Sequence, residues 1–243
     1  MTNSIIDTFN EYFDMVPAIS DELKNEVYKL RYQVYCLETG FEDPDLFPDG
    51  LEIDEFDSHS IHYLIRHKKL GIYMATTRLI LPCPNNIEKL FPIEIHSQID
   101  NLDALKHISR NYLGEASRFC VSKDFRRRKN EIHTVPGISE ETEKVFSQDE
   151  QRIFPHLTLA LIACLIKMSR ENNIIDWYLI MEPALIRVLS TIGISFVLIG
   201  PITDYHGMRR PCIIRVDDLL NGVATKNLEY WDILTNKGRF WDI

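Results

Sequence analysis

Paired cysteines are missing from this sequence. Its five cysteines, Cys36, Cys83, Cys120, Cys164 and Cys212, are scattered and form no C-x-x-C. That excludes a disulfide framework and reads as reduced, intracellular thiol. Residues Met1 to Asp14 lack a basic segment followed by an apolar run, so no signal peptide is expected. The most apolar stretch, Leu157 to Met168, is too short to span a bilayer. A soluble, cytoplasmic protein is the expectation. Excess positive charge is missing too: 27 Lys and Arg against 36 Asp and Glu give a net charge of -9. A chain that held nucleic acid across a whole face would be basic, so an acidic partner has to dock on a local basic patch. Repeats and low-complexity tracts are also absent.

What is present is an ordinary globular balance, 45% hydrophobic and 26% charged over 243 residues. This length accommodates one large α/β domain, and a single domain over residues 1–243 is expected, with a charged surface insert at 129–151. Ser20-Asp-Glu-Leu23 reads as a capped helix start, with Val27, Leu30 and Val34 at helical spacing as far as about Leu37. Ser60–His67 and Ile72–Leu81 read as a hairpin, and Leu113–Val121 as a further strand. Residues 85–111 read as irregular, with one short helix near Leu102–Ile108. Pro155–Asn172 reads as a strong helix, Ile174–Met181 as a central strand, and Pro183–Ile192 as a helix with proline in its first turn. Strands are expected at Ile194–Ile199 and at Tyr205–Val216, the latter broken near Pro211. This order predicts an α/β (α+β) domain: a mixed, mostly antiparallel central sheet with helices on both faces and a right-handed crossover into Ile174–Met181.

Several charged groups carry possible chemistry. Arg31 and Tyr35 are four apart and share a helical face, with Phe41 just beyond. Taken alone, that fits a surface arginine beside a half-buried aromatic. Glu52-Ile-Asp-Glu-Phe-Asp57 places four carboxylates in six residues, which alone fits a solvated loop. His59 and His62 follow, but the spacing matches no tight metal motif, and no metal is expected. Arg78 lies on a strand between apolar neighbours, so it needs a carboxylate partner, and the acidic loop can supply one. On the strand around Gly114–Val121, period-two alternation sends Glu115, Ser117 and Phe119 to one face and Ala116, Arg118 and Cys120 to the other. A glutamate and a serine on one face of a central strand mark a functional site unless that face is wet. Lys123-Asp-Phe-Arg-Arg-Arg-Lys129 follows, with five basic residues of seven. It fits either a solvated turn or an anion dock, without a Gly-x-Gly pyrophosphate cradle.

Arg31, Tyr35, Phe41, Asp54, Asp57, Arg78, Glu115, Ser117 and Arg118 resemble, in order and spacing, the signature of acyl-homoserine-lactone synthases, which have a GNAT-like acyltransferase fold. The resemblance covers roughly Leu23 to Val121. Those synthases usually carry Phe where Tyr35 stands and Trp where Phe41 stands, both lining an S-adenosylmethionine pocket. A resemblance over nearly the whole chain is to the acyltransferases of PEP-CTERM/exosortase systems, related to N-acyl amino acid synthases. It is carried by Leu30-Arg-Tyr-Gln-Val-Tyr-Cys36, Phe47-Pro-Asp-Gly-Leu-Glu52, Ser117-Arg-Phe119, Val121-Ser-Lys123, Met168-Ser-Arg-Glu171, Met181-Glu-Pro-Ala-Leu185, Tyr205-His-Gly207 and Arg210-Pro-Cys212.

This resemblance implies an N-acyltransferase that takes a fatty acyl group from an acyl carrier protein thioester to the amine of an amino acid. It implies no tightly bound cofactor, no nucleic acid, and weak membrane association through a lipid product. Glu115 is the expected base and Ser117 an oxyanion donor, aided by N–H groups at a strand bulge. Arg31, Arg78 and Arg118 are expected to form one network with Asp54 and Asp57, with Arg118 on the opposite face from Glu115 and Ser117. Arg126, Arg127, Arg128 and Lys129 are expected to meet the carrier protein. Apolar residues of Leu157–Met168, Trp177–Met181 and Ile194–Leu198 fit an acyl tunnel or plain core. No role is assigned to Tyr205-His206-Gly207. The rivals are a lactone synthase using S-adenosylmethionine, a coenzyme A-dependent acetyltransferase, and a catalytically silent lipid-binding module.

Overall fold

Ser20 caps the first long helix as its sequence requires: its hydroxyl accepts from the Leu23 N–H at 3.3 Å. The helix, α2 (Asp21–Tyr32), then widens into a π turn, Gln33–Glu38, rather than continuing as regular α-helix to Leu37. In this computed structural model residues 4–125 and 156–241 are described. The expected insert and the basic residues 126–129 lie outside them. Before α2 come α1 (Ile5–Tyr12) and strand β1 (Phe13–Pro17). Then follow β2 (Ser60–His67), β3 (Tyr73–Ile80), the short helix α3 (Pro92–His96), β4 (Leu113–Val121), α4 (Leu157–Glu171), β5 (Asp176–Met181), α5 (Pro183–Thr191), β6 (Val197–Leu198), β7 (Thr203–Asp204), β8 (Met208–Arg215), α6 (Val216–Lys226) and α7 (Leu228–Thr235).

The strands hydrogen-bond in the order β1-β2-β3-β4-β5-β8-β6, with β7 on β8. β4 and β5 run parallel, whereas β1–β2, β5–β8 and β6–β8 are antiparallel. The mixed, mostly antiparallel sheet read from the sequence is therefore present. The break placed near Pro211 falls instead at Tyr205–Gly207, where His206 and Gly207 both have positive φ. Pro211 sits inside β8 opposite Ile180.

The chain divides into two compact units. One comprises Met1–Ile53, His62–Thr76 and Phe119–Leu161. Its core joins Val27, Tyr28, Leu30 and Val34 to Leu64 and Cys120. The other comprises Asp54–Ile61, Thr77–Arg118 and Ile162–Ile243. There Phe56, Ile80, Phe91, Ile93, Leu113, Tyr178, Ile199 and Ile213 pack together. The residues of α4 from Ile162 to Ile166 are buried, as are Met168 and Trp177, whose indole N–H donates to Ser169 Oγ at 2.7 Å. These apolar residues serve as core.

Candidate active site

Three residues of β3 and β4 converge on the loop that precedes β2. Arg78 is 1% exposed, and its Nη1 donates to Asp54 Oδ1 at 2.6 Å and to Asp57 Oδ1 at 2.8 Å. Its Nε donates to Ser117 Oγ at 3.0 Å. Arg118 Nη2 donates to Asp54 Oδ2 at 3.1 Å. A guanidinium this deeply buried persists only with its donors engaged, and two carboxylates and a hydroxyl engage it. The loop that carries those carboxylates is itself folded around them. The Asp54 N–H donates to Asp57 Oδ2 at 2.8 Å, and the Phe56 N–H to Asp54 Oδ1 at 2.9 Å.

The expectation that Arg118 faces away from Ser117 is overturned. Both side chains reach the same Arg78–Asp54 cluster, because Arg118 adopts φ +49 within β4. A left-handed residue breaks the period-two alternation and re-aims the side chains that follow, as a bulge does. For a residue with a Cβ this conformation costs on the order of 1–2 kcal/mol, a kind of strain that concentrates at functional sites. β4 and β5 also part here. Their parallel pairing runs Leu113↔Asp176, Gly114↔Trp177 and Glu115↔Tyr178, while β5 continues along β8 as far as Met181↔Arg210.

Glu115 stands at that point of parting and is 2% exposed. Its Oε2 accepts from the Ile93 N–H of α3 at 2.9 Å. Among the described residues no donor reaches Oε1. Burial pushes its carboxyl up to about 8; the Ile93 N–H and the Arg78 and Arg118 charges act in the opposite direction. Helix α3 is fixed from its other side by Glu94. Arg110 grips that carboxylate with two bonds, Nη1 to Oε1 at 2.7 Å and Nη2 to Oε2 at 3.0 Å. Arg110 also lies 5.1 Å from the Phe91 ring. The sequence reading missed α3 and Glu94 altogether; the Glu94-Arg110 pairing has no local signal.

Arg31 has a carboxylate partner that the expected network did not include, Glu52. In the first unit it is fully buried and its Nε donates to Glu52, which is 1% exposed. Its guanidinium lies 5.4 Å from the Tyr28 ring. Tyr35 and Phe41 are half-buried neighbours with ring centroids 6.5 Å apart. Tyr35 stands in the π turn, and its carbonyl accepts from both the Phe41 and Glu42 N–H groups. Arg126, Arg127, Arg128 and Lys129 fall outside the described residues.

The fold and the strand geometry define a GNAT-like acyltransferase architecture. A profile of the acetyltransferase (GNAT) domain matches residues 30–135. Among solved structures, the chain is similar to the acyl-homoserine-lactone synthase LasI, at 18% identity and TM-score 0.52, over 87% of this chain and 95% of that one. It is similar to FeeM, an N-acyl amino acid synthase from uncultured soil microbes, at 11% identity and TM-score 0.54, over 89% and 97%. It is also similar to BjaI, a CoA-dependent acyl-homoserine-lactone synthase solved with SAM and isopentyl-CoA, at 16% identity and TM-score 0.56, over 93% and 88%. No curated protein sequence matches the chain.

Proposed function

We propose that this chain is an N-acyltransferase that moves a long-chain fatty acyl group from the phosphopantetheine thioester of acyl carrier protein to the amine of an amino acid. The observation that carries this reading is Glu115. It is a buried carboxylate with one oxygen pinned by the Ile93 N–H and the other open, beside the Arg78 cluster. Amide formation needs a base for the attacking nitrogen, and a carboxyl tuned close to the working pH serves best. Glu115 Oε1 takes the nitrogen's proton as the C–N bond forms. Ser117 Oγ already accepts from Arg78, so its own O–H remains to donate to the oxyanion. Backbone N–H groups at the Arg118 turn are the other oxyanion donors.

Arg118, 15% exposed, suits the acceptor's carboxylate better than the fully buried Arg31. Arg31 with Glu52 instead supports the helix that presents Tyr35, opposite Phe41. Arg126, Arg127, Arg128 and Lys129 dock the carrier. The enzyme works in the cytoplasm without a tightly bound cofactor, associates weakly with membrane through its product, and belongs with PEP-CTERM/exosortase systems. The LasI, BjaI and FeeM likenesses support the fold that this chemistry uses.

Mass spectrometry of lipid extracts from a bacterial host that expresses the chain tests the reading. New N-acyl amino acids are expected, and they should vanish with Glu115→Gln, a loss of about 10²–10⁴-fold in turnover. A lactone formed from S-adenosylmethionine and acyl carrier thioester would assign the lactone-synthase reaction instead. Lipids unchanged from the empty vector would favour a silent binding module. In vitro, kcat/KM should rise with pH towards about 8 as Glu115 loses its proton.

A further inference from the structure

An amino acid reaches the site as an ammonium, and turning it into an amide removes two protons. Glu115 accounts for one, which leaves on the thiol. The other must pass to solvent, and a fully buried carboxylate is poorly placed to release it. This inference rests on the reaction proposed above and concerns that first proton.

Helix α3 carries a second titratable group. Glu115 holds the helix by the Ile93 N–H at 2.9 Å, and His96 stands one turn further on, with an axial rise of about 4.5 Å over three residues. The His96 side chain is exposed. Its ring is stacked on Tyr205, with centroids 4.6 Å apart and planes at 18°. Tyr205 in turn meets His206, at 4.5 Å. His206 is held at φ +52 in the turn before β8. Among the described residues no group hydrogen-bonds the His96 ring nitrogens. The stack thus fixes the ring plane and leaves both nitrogens open at the edge.

The groups that act on His96 are Tyr205 by contact and His206 and Arg118 by charge. Partial desolvation, then His206, then Arg118 hold its pKa below the ordinary histidine value. A neutral imidazole with both ring nitrogens open can accept a proton.

We infer that His96 is a further catalytic residue, the acceptor of the first proton from the substrate ammonium, held in place by the Tyr205-His206-Gly207 turn. The steps balance. A His96 ring nitrogen takes one proton from the ammonium and returns it to solvent. The neutral amine then attacks the thioester carbon, and Glu115 Oε1 takes the second proton. Collapse of the tetrahedral intermediate breaks the C–S bond, and the carrier thiolate leaves with the proton that Glu115 held. The Tyr205 turn, without a role in the sequence, acquires one as the shelf for this ring.

The test is the pH dependence of the ratio of wild-type to His96→Gln kcat/KM for the amine. The ratio is expected to be about 10-fold or more at pH 7 and to fall towards one at a pH above the ammonium's own pKa, where the amine arrives neutral. His96→Ala should regain turnover at pH 7 when free imidazole is added. A ratio that is the same at both pH values, or a His96→Ala enzyme that imidazole leaves unchanged, would overturn the inference. Wild-type turnover matched by His96→Gln at every pH would overturn it while leaving the acyltransferase reading intact. A wild-type protein that acylates no amine removes both.

Discussion

On the proposed mechanism, Glu115 contributes to activity at the expense of stability. Its folded-state pKa of about 8 lies above the ordinary 4.5 of an unfolded glutamate. Between those values the folded chain keeps a proton that the unfolded chain releases. The unfolded state thus binds fewer protons, and stability falls as pH rises through that window. Integrated across it, the loss is on the order of 5 kcal/mol. Glutamine cannot ionise and can still accept the Ile93 N–H, so Glu115→Gln is expected to match the wild type near pH 4.5 and exceed it by a few kcal/mol at pH 8.5. Urea unfolding at the two pH values measures this. A pH dependence that is identical in the two proteins would show that Glu115 is not a strained acid. The same reasoning separates Glu115 from Arg78. Arg78 is equally buried but has two carboxylates and a hydroxyl around it; among the described residues Glu115 has a single backbone donor.

At the scale of the element, β4 is a strand that its sequence announces and a site that its sequence hides. Apolar ends and flanking turns fix Leu113–Val121, and the observed bounds coincide with the expected ones; the same holds for Ser60–His67. Period-two alternation then misplaces Arg118, because alternation assumes an unbroken extended backbone and cannot register a left-handed residue. The five residues of α3 are too few for helical periodicity to show. What holds α3 is non-local, Glu115 on the Ile93 N–H and Arg110 on Glu94. Glu52 was one acid among four in six residues, and only the tertiary structure selects it for Arg31. Charge clustering was thus legible, while the pairing within the cluster was not. The backbone at Arg118 yields a clean comparison. Arg118→Ala and Arg118→Gly both delete the ion pair with Asp54, but only glycine adopts φ +49 without a steric cost. The glycine variant is expected to be the more stable of the two by about 1 kcal/mol, in contrast to the usual penalty for glycine within a strand. Thermal or denaturant unfolding of the pair measures it, and an alanine variant that is the more stable would show that position 118 is unstrained.

The whole molecule carries a net charge of -9 and must recruit, on the reading above, a carrier protein that is also acidic. The long-range field therefore opposes encounter, and productive docking falls to local complementarity within about one Debye length, roughly 8–10 Å at physiological salt. The run from Lys123 to Lys129 holds five basic residues of seven directly after β4, the densest positive stretch of the chain. Replacing Arg126, Arg127 and Arg128 by glutamate would convert this local attraction into repulsion and leave the Glu115 cluster untouched. The expected outcome is an apparent KM for acyl carrier thioester raised at least 10-fold, with the KM for the amine and the turnover at saturating carrier within about twofold. Ten-fold corresponds to about 1.4 kcal/mol, modest for three reversed charges at a docking surface. Steady-state kinetics with each substrate varied in turn separates the two constants. Added salt should weaken carrier binding to the wild type and strengthen it for the reversed variant, since screening acts on attraction in one and on repulsion in the other. A carrier KM that is unchanged by the reversal would move the dock away from this run and onto another face of the enzyme.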